Sequence, residues 1–232
     1  MNVTQPQHTN RQYEEELRGL RAGLIKMGGL VESQITEAVE ALVERDSVHA
    51  RTVIERDAEV NRMDIETDGR CINLLALHQP AASDLRFITT GLKITTDLER
   101  IGDNAVNICE RALELNEEPQ LKPYIDIPRM ASIAQTMVKD SLDAFMRNDT
   151  TLAEQVIARD DEVDLLNYQI YRELLSFMAE DPHTIGVATR VLFVSKYLER
   201  IADHATNIAE MVVYMVEGKN IKHMDPKHEQ PS

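Results

Sequence analysis

The sequence predicts an all-α protein built from two tandem antiparallel three-helix bundles related by an internal repeat. Three observations predict it. Four long stretches, 7–79, 81–118, 129–181 and 183–225, contain no proline. Glycine is scarce, at nine residues in 232, and aromatics make up only 4%. Little therefore breaks a helix and little favours a strand, and no run shows the strict apolar alternation of a sheet. The third observation is the repeat itself. Asp97-Leu-Glu-Arg-Ile-Gly-Asp-Asn-Ala-Val-Asn-Ile-Cys-Glu110 aligns with Tyr197-Leu-Glu-Arg-Ile-Ala-Asp-His-Ala-Thr-Asn-Ile-Ala-Glu210, identical at nine of 14 positions with an offset of 100. Arg56-Asp57-Ala-Glu59-Val60 likewise matches Arg159-Asp160-Asp-Glu162-Val163, at an offset of 103. Repetition at this scale marks a copied structural unit.

Six helices follow in order. The first covers about 9–45. Asp46-Ser47 is a stop-and-start signal, with Ser47 expected as the N-cap of a second helix over 48–78. Pro80 and Pro182 correspond, so each third helix is expected to begin at a proline, over 82–115 and 183–217. Asn116 to Pro128 holds three prolines and connects the halves. Helices over 127–147 and 150–180 flank the start signal Asn148-Asp149-Thr150. The expected division is 1–118 for the first unit, 119–218 for the second and 219–232 for a polar, loosely ordered tail. Short links favour antiparallel neighbours.

The charge excludes several functions. With 25 Lys+Arg against 40 Asp+Glu the net charge is −15, which argues against a nucleic-acid binder and against adhesion to anionic lipid. Cys71 and Cys109 form neither a CxxC pair nor a zinc pattern, which fits a reducing cytoplasm. Met1 to Glu16 is polar and turns acidic, unlike a signal peptide, and Met211 to Val216 is too short an apolar run to span a bilayer. A cytoplasmic protein is the expectation.

At 100° per residue, Leu98, Ile101, Ala105 and Ile108 share one sector of their helix and form a core stripe. Glu99, Asp103, Asn107 and Glu110 cluster roughly opposite, as do Glu199, Asp203, Asn207 and Glu210. Each half thus carries Glu-x-x-x-Asp-x-x-x-Asn on an outward face. Carboxylates four residues apart repel one another. Arg100 and Arg200, or a metal ion, could offset that repulsion. Oxygen donors suit hard or borderline cations, and Mg, Mn, Fe, Zn and Ca are not distinguished. In an acidic chain one such pair reads as a solvated face; the second copy in matching flanks puts a cation site on equal footing. The metal candidates are Glu99, Asp103, Glu199 and Asp203, with Asn107, Asn207 and Asp64 as further ones. Asp57, Glu59, Asp160, Glu162 and Asp164 lie on the second and fifth helices as acids that could join from the side. His204 replaces Asn104 and falls off the acidic face, while His223 and His228 in the tail are isolated.

No GxxxxGK[ST], GxGxxG or G-x-S-x-G motif is present. The one Glu-x-x-His spacing, Glu180-Asp-Pro-His183, is interrupted by proline at a helix junction. An enzyme is therefore not expected; a metal-dependent hydrolase using the carboxylate clusters is the alternative.

Lys26-Met-Gly-Gly-Leu-Val-Glu32, Gln79-Pro80 with Ser83-Asp-Leu-Arg86, and the two copies Leu98-Glu-Arg-Ile-Gly-Asp103 and Leu198-Glu-Arg-Ile-Ala-Asp203 resemble the PhoU family, from about Tyr13 to His223. The resemblance implies two similar three-helix bundles and a negative regulator of phosphate uptake and phosphate-starvation signalling. It implies a cytoplasmic homodimer that connects a phosphate-specific ABC transporter to a sensor histidine kinase and meets the membrane only through those partners. It also implies surface metal ions, divalent or trivalent, at Glu99 and Asp103 and at Glu199 and Asp203. Where the family pattern has Gly before the Asp, this chain keeps Gly102 but carries Ala202, which argues against equal occupancy.

Overall fold

A computed structural model describes residues 6–218, with side chains from residue 11 onward; the predicted polar tail 219–232, with His223 and His228, lies outside the described residues. Six α-helices make up the fold: α1 (Pro6–Val43), α2 (Ser47–His78), α3 (Ala82–Asn116), α4 (Asp126–Arg147), α5 (Thr150–Glu180) and α6 (Ile185–Glu217). Among the described residues there is no strand.

The helix starts differ from expectation in two places. Asp46, not Ser47, caps α2: its carboxylate accepts from the backbone N–H groups of Val48 and His49, both at 2.9 Å. Ser47 is already helical, and its hydroxyl accepts from Asn116 Nδ2 at 3.1 Å. A carboxylate at the cap has the added advantage of the helix dipole. The prolines do not open their α-helices. Pro80 precedes α3, and Pro182 begins a 3₁₀ turn (Pro182–Thr184) that leads into α6. In the second half Asp149 caps α5 through Leu152 N–H at 3.0 Å, as the Asn-Asp-Thr signal predicts.

Leu98, Ile101, Ala105 and Ile108 are fully buried, as are Leu198, Ile201, Ala205 and Ile208, so the predicted core stripe is observed twice. In each half the third helix packs on the other two, α3 on α1 and α2, α6 on α4 and α5. Matching helices also pack across the halves, α3 on α6 and α1 on α4, so the two bundles share one core. Phe87 stacks on Phe145 at that seam with ring centroids 4.8 Å apart. Arg190 of α6 reaches back to Glu114 at 3.0 Å and Glu118 at 2.8 Å. Each fully buried Leu or Ile contributes about 1.5–3 kcal/mol, so this common core outweighs the exposed ion pairs at its edge, worth roughly 0–1 kcal/mol each. Its consequence for function is positional. Because α3 and α6 are held on several sides, their remaining faces lie against α2 and α5, where the repeated acids stand.

Candidate metal centres

Glu99 and Asp103 occupy the side of α3 next to α2. Glu99 keeps 25% of its side chain exposed and Asp103 41%, so the pair sits at the protein boundary rather than on a fully solvated face. Arg100 lies 3.5 Å from Glu99 and 3.4 Å from Asp103, and partly neutralises both. From α2, Asp57 and Asp64 join them. Burial pushes the Glu99 carboxyl up, and Asp103, Asp64 and Asp57 push it further against the opposing effect of Arg100. Asp64 is likewise raised, by burial and by Asp68.

The second half repeats the arrangement with different supports. Glu199 is only 16% exposed and pairs with Lys196. Asp203 is more open, and its carboxyl is raised by burial and by Glu199 despite nearby Lys196, His204 and Arg200. Asp160 and Asp164 enter from α5. The Asp160 carboxyl is pushed up to about 7, first by burial, then by Asp203, Asp164, Asp161 and Glu199. Its Oδ1 is buried and has no hydrogen-bond partner.

One substitution separates the clusters. In the first, the buried Gln34 of α1 donates its Nε2–H to Asp57 at 3.2 Å, and Asn61 donates to the other oxygen at 2.9 Å. Gly102 makes room for this. A Cβ there would sit 3.1 Å from Asp57 Oδ1 and 3.2 Å from Gln34 Oε1. Arg56 pairs with Glu37 and Arg159 with Asp140, both pairs 103 residues apart, which registers α1 on α4 and places Met137 where Gln34 stands. At that register position α4 offers an apolar side chain instead of an amide, and Asp160 Oδ1 has no hydrogen-bond partner where Asp57 Oδ1 accepts from Gln34. The Gly102-to-Ala202 difference noted in the sequence thus travels with Gln34-to-Met137.

The structure sets Asp57, Asp64 and Asp103 within electrostatic reach of Glu99, and Asp203, Asp164 and Glu199 within reach of Asp160. It sends two flagged acids elsewhere: Glu59 bonds Lys26 at 3.0 Å, and Glu162 pairs with Arg129 at 3.3 Å. Asn107 is half-buried. Asn207 lines a separate cleft between α3 and α6, with Lys93, Asp97 and Tyr214. His204 is no bystander, because its Nδ1 lies 2.8 Å from Asp97 across the seam between the halves. Asp68 and Asp161 were not singled out by sequence; each is one helical turn or less from an acid that was. Among the described residues, no three His, Cys, Asp or Glu side chains are drawn together as a finished metal cage.

A PhoU domain family model matches the chain twice, over residues 24–112 and 127–212. The chain belongs to the PhoU family. Among PhoU relatives, a phosphate-specific transport system accessory protein PhoU homolog from Pseudomonas putida is 43% identical over 221 residues, covering 95% of this chain and 86% of the relative. One of the same description from Aquifex aeolicus is 45% identical over 213 residues, covering 92% and 96%. The crystal structure of PhoU from Pseudomonas aeruginosa superposes with a TM-score of 0.86 at 43% identity, covering 89% of this chain and all of that one. The phosphate transport system regulatory protein PhoU from Streptococcus pneumoniae gives 0.83 at 29% identity, covering 90% and 98%. The PhoU fold of two repeated helical units is therefore the fold of this chain, and the family is one of accessory regulatory proteins rather than enzymes.

Proposed function

We propose that this chain is a negative regulator of phosphate uptake and of phosphate-starvation signalling. It acts in the cytoplasm as a homodimeric adaptor between the ATPase of a phosphate-specific ABC transporter and a phosphate-sensing histidine kinase. The observation that carries this reading is the match over more than nine-tenths of the chain to relatives named as accessory proteins of the phosphate-specific transport system. No helix among the described residues is long and apolar enough to cross a membrane, which is consistent with contact to membranes through partners. The metal-dependent hydrolase is set aside, because the family is accessory and regulatory.

Carboxylate oxygen is the donor type that hard or borderline cations take, which supports the reading of surface metal sites. Both clusters offer carboxylate oxygens from two neighbouring helices, the Glu99 and Asp160 carboxyls are raised by burial and then by the acids around them, and Asp160 Oδ1 is buried without a partner. Glu99, Asp103, Asp57 and Asp64 would hold one ion or cluster, and Glu199, Asp203, Asp160 and Asp164 the other. A bound cation would supply the positive charge that cancels this repulsion. The chain's own residues fix the rest. Gln34 and Asn61 orient Asp57, while the second cluster leaves Asp160 free to turn toward a ligand.

Expression of phosphate-starvation genes in a strain lacking this chain tests the regulatory reading. Expression in phosphate-rich medium is expected, with repression restored by the wild-type chain. Normal repression in the deletion strain contradicts it.

A further inference from the structure

The α5–α6 face carries a feature the first half lacks. Tyr168 and Tyr171 of α5 and Phe193 of α6 surround a groove of about 420 Å³, with Leu192, Asp164 and Glu199 completing much of its lining. The three rings are exposed by 60%, 43% and 46%, and Leu165 and Leu175 continue the apolar strip along α5. At the repeat offsets of 103 and 100, the first half has Ile65, Asp68 and Lys93 in place of the rings. The same three-helix frame therefore folds with an aspartate and a lysine at two of these positions, so packing does not demand aromatics there. An exposed apolar strip edged by charge marks a contact surface, and aromatic side chains are enriched at the centre of such surfaces.

Charge selects the occupant. Asp164 and Glu199 belong to the second acidic cluster, where Asp160 and Asp203 stand beside them. The lining cation Lys196 is already engaged by Glu199. An anionic lipid surface would meet like charge along this edge. A second copy presenting this same face would set Asp164 and Glu199 against their own counterparts. A helix with an apolar face flanked by Lys or Arg satisfies both halves of the groove. Its apolar side chains lie between the rings, and its cations meet the carboxylates. The strip from Asp164 to Leu175 is about 16 Å long, or three helical turns, which sets the partner segment at about eleven residues.

We infer that this groove is the docking site for a basic amphipathic helix of a partner protein. The inference rests on the regulatory reading only in supposing that a protein partner exists, and its charge argument is made for the metal-free chain, because Asp164 and Glu199 line the groove and belong to the proposed cation site.

Fluorescence anisotropy of the full-length chain in chelator tests it. The probe is a labelled synthetic 18-residue helical peptide with a leucine face flanked by Arg and Lys. Two control peptides are used, one with the basic residues replaced by Glu and one of the same composition scrambled to destroy the apolar face. The basic amphipathic peptide is expected to bind at least tenfold more tightly than either control. The variant Tyr171→Asp/Phe193→Lys, which copies the first half, is expected to lose at least tenfold while melting like the wild type. Equal binding of the scrambled peptide, or undiminished binding by the variant, overturns the inference. A photo-crosslinker in place of Phe193 in cells supplies the second readout. The expected adduct is a Lys- or Arg-flanked amphipathic segment of another protein; adducts confined to a second copy of the chain or to lipid overturn it. Peptide binding is read without any phosphate phenotype, so its failure is distinct from failure of the regulatory reading.

Discussion

At the scale of single residues, Asp160 makes the sharpest prediction. In the folded chain its carboxyl titrates at about 7, against an ordinary value of 3.8. Between those values the folded state holds a proton that the unfolded chain has lost, so stability falls as pH rises through the window and stays reduced above it. Asp57, Asp64, Glu99, Asp164 and Asp203 shift in the same direction. Calorimetry on metal-free protein is expected to give a lower melting temperature at pH 8 than at pH 5.5, and Asp160→Asn is expected to flatten the difference. Glu37 acts oppositely. Burial raises its carboxyl, but hydrogen bonds from Arg56, Ser33 and His49 outweigh that and hold it at about 2. Its stabilisation is complete above pH 4.5 and is lost as pH falls toward 2. Gly102→Ala is expected to cost about 1 kcal/mol in urea unfolding, since the new methyl crowds Asp57, Gln34 and Val60 at once. Adding Gln34→Met, which copies the second half, is expected to recover most of it, a non-additivity that independent sites would not show. Part of this was legible in the sequence. Asp57 and Asp64 are seven residues apart and share a helix face, whereas Glu59 falls on another. The angular reading that isolates Glu99 and Asp103 would therefore have separated them. Gln34 was not legible, because its partner Asp57 lies on the neighbouring helix, 23 residues away, and nothing local marks the pairing.

Elements were the most readable level. Long proline-free stretches, capping signals and the core stripe place all six helices, because each signal acts within a few residues of the structure it specifies. What escaped was chemistry at the ends. Asp46-Ser47 offers two adjacent caps, and only the backbone conformation chooses Asp46. The residue before it does more than separate two helices. Arg45 adopts a left-handed φ of 58° and donates through Nη2 to the carbonyls of Leu115, Asn116 and Glu118, at 3.1, 3.0 and 2.6 Å. It thereby closes the end of α3, adding to the 3.3 Å backbone bond from Glu118 N–H to the Leu115 carbonyl. Hydrogen bonds from a charged donor contribute about 1.5–3 kcal/mol, so Arg45→Ala is expected to lower stability by roughly 2 kcal/mol in urea unfolding. A loss below a few tenths would show that water caps α3 equally well.

Seen whole, the molecule is a duplicated unit whose copies share a core and have diverged at their surfaces. Duplication was visible in sequence, but the joining of the cores through α3 on α6 and α1 on α4 was not, because residues about 100 apart must meet. Divergence follows from it. Once each copy supports the other, a cluster can exchange Gln34 and Gly102 for Met137 and Ala202, or Asp68 and Lys93 for Tyr171 and Phe193, without losing the frame. Two carboxylate clusters in separate halves of one fold are expected to bind cations separately. Glu99→Ala/Asp103→Ala and Glu199→Ala/Asp203→Ala should each remove one class of site from a calorimetric manganese titration and leave the other intact. Anomalous diffraction from manganese-soaked crystals is the most direct test of the twin sites. Peaks are expected beside Asp57, Glu99 and Asp103 and beside Asp160, Glu199 and Asp203; soaked crystals with no peak at either cluster would contradict them.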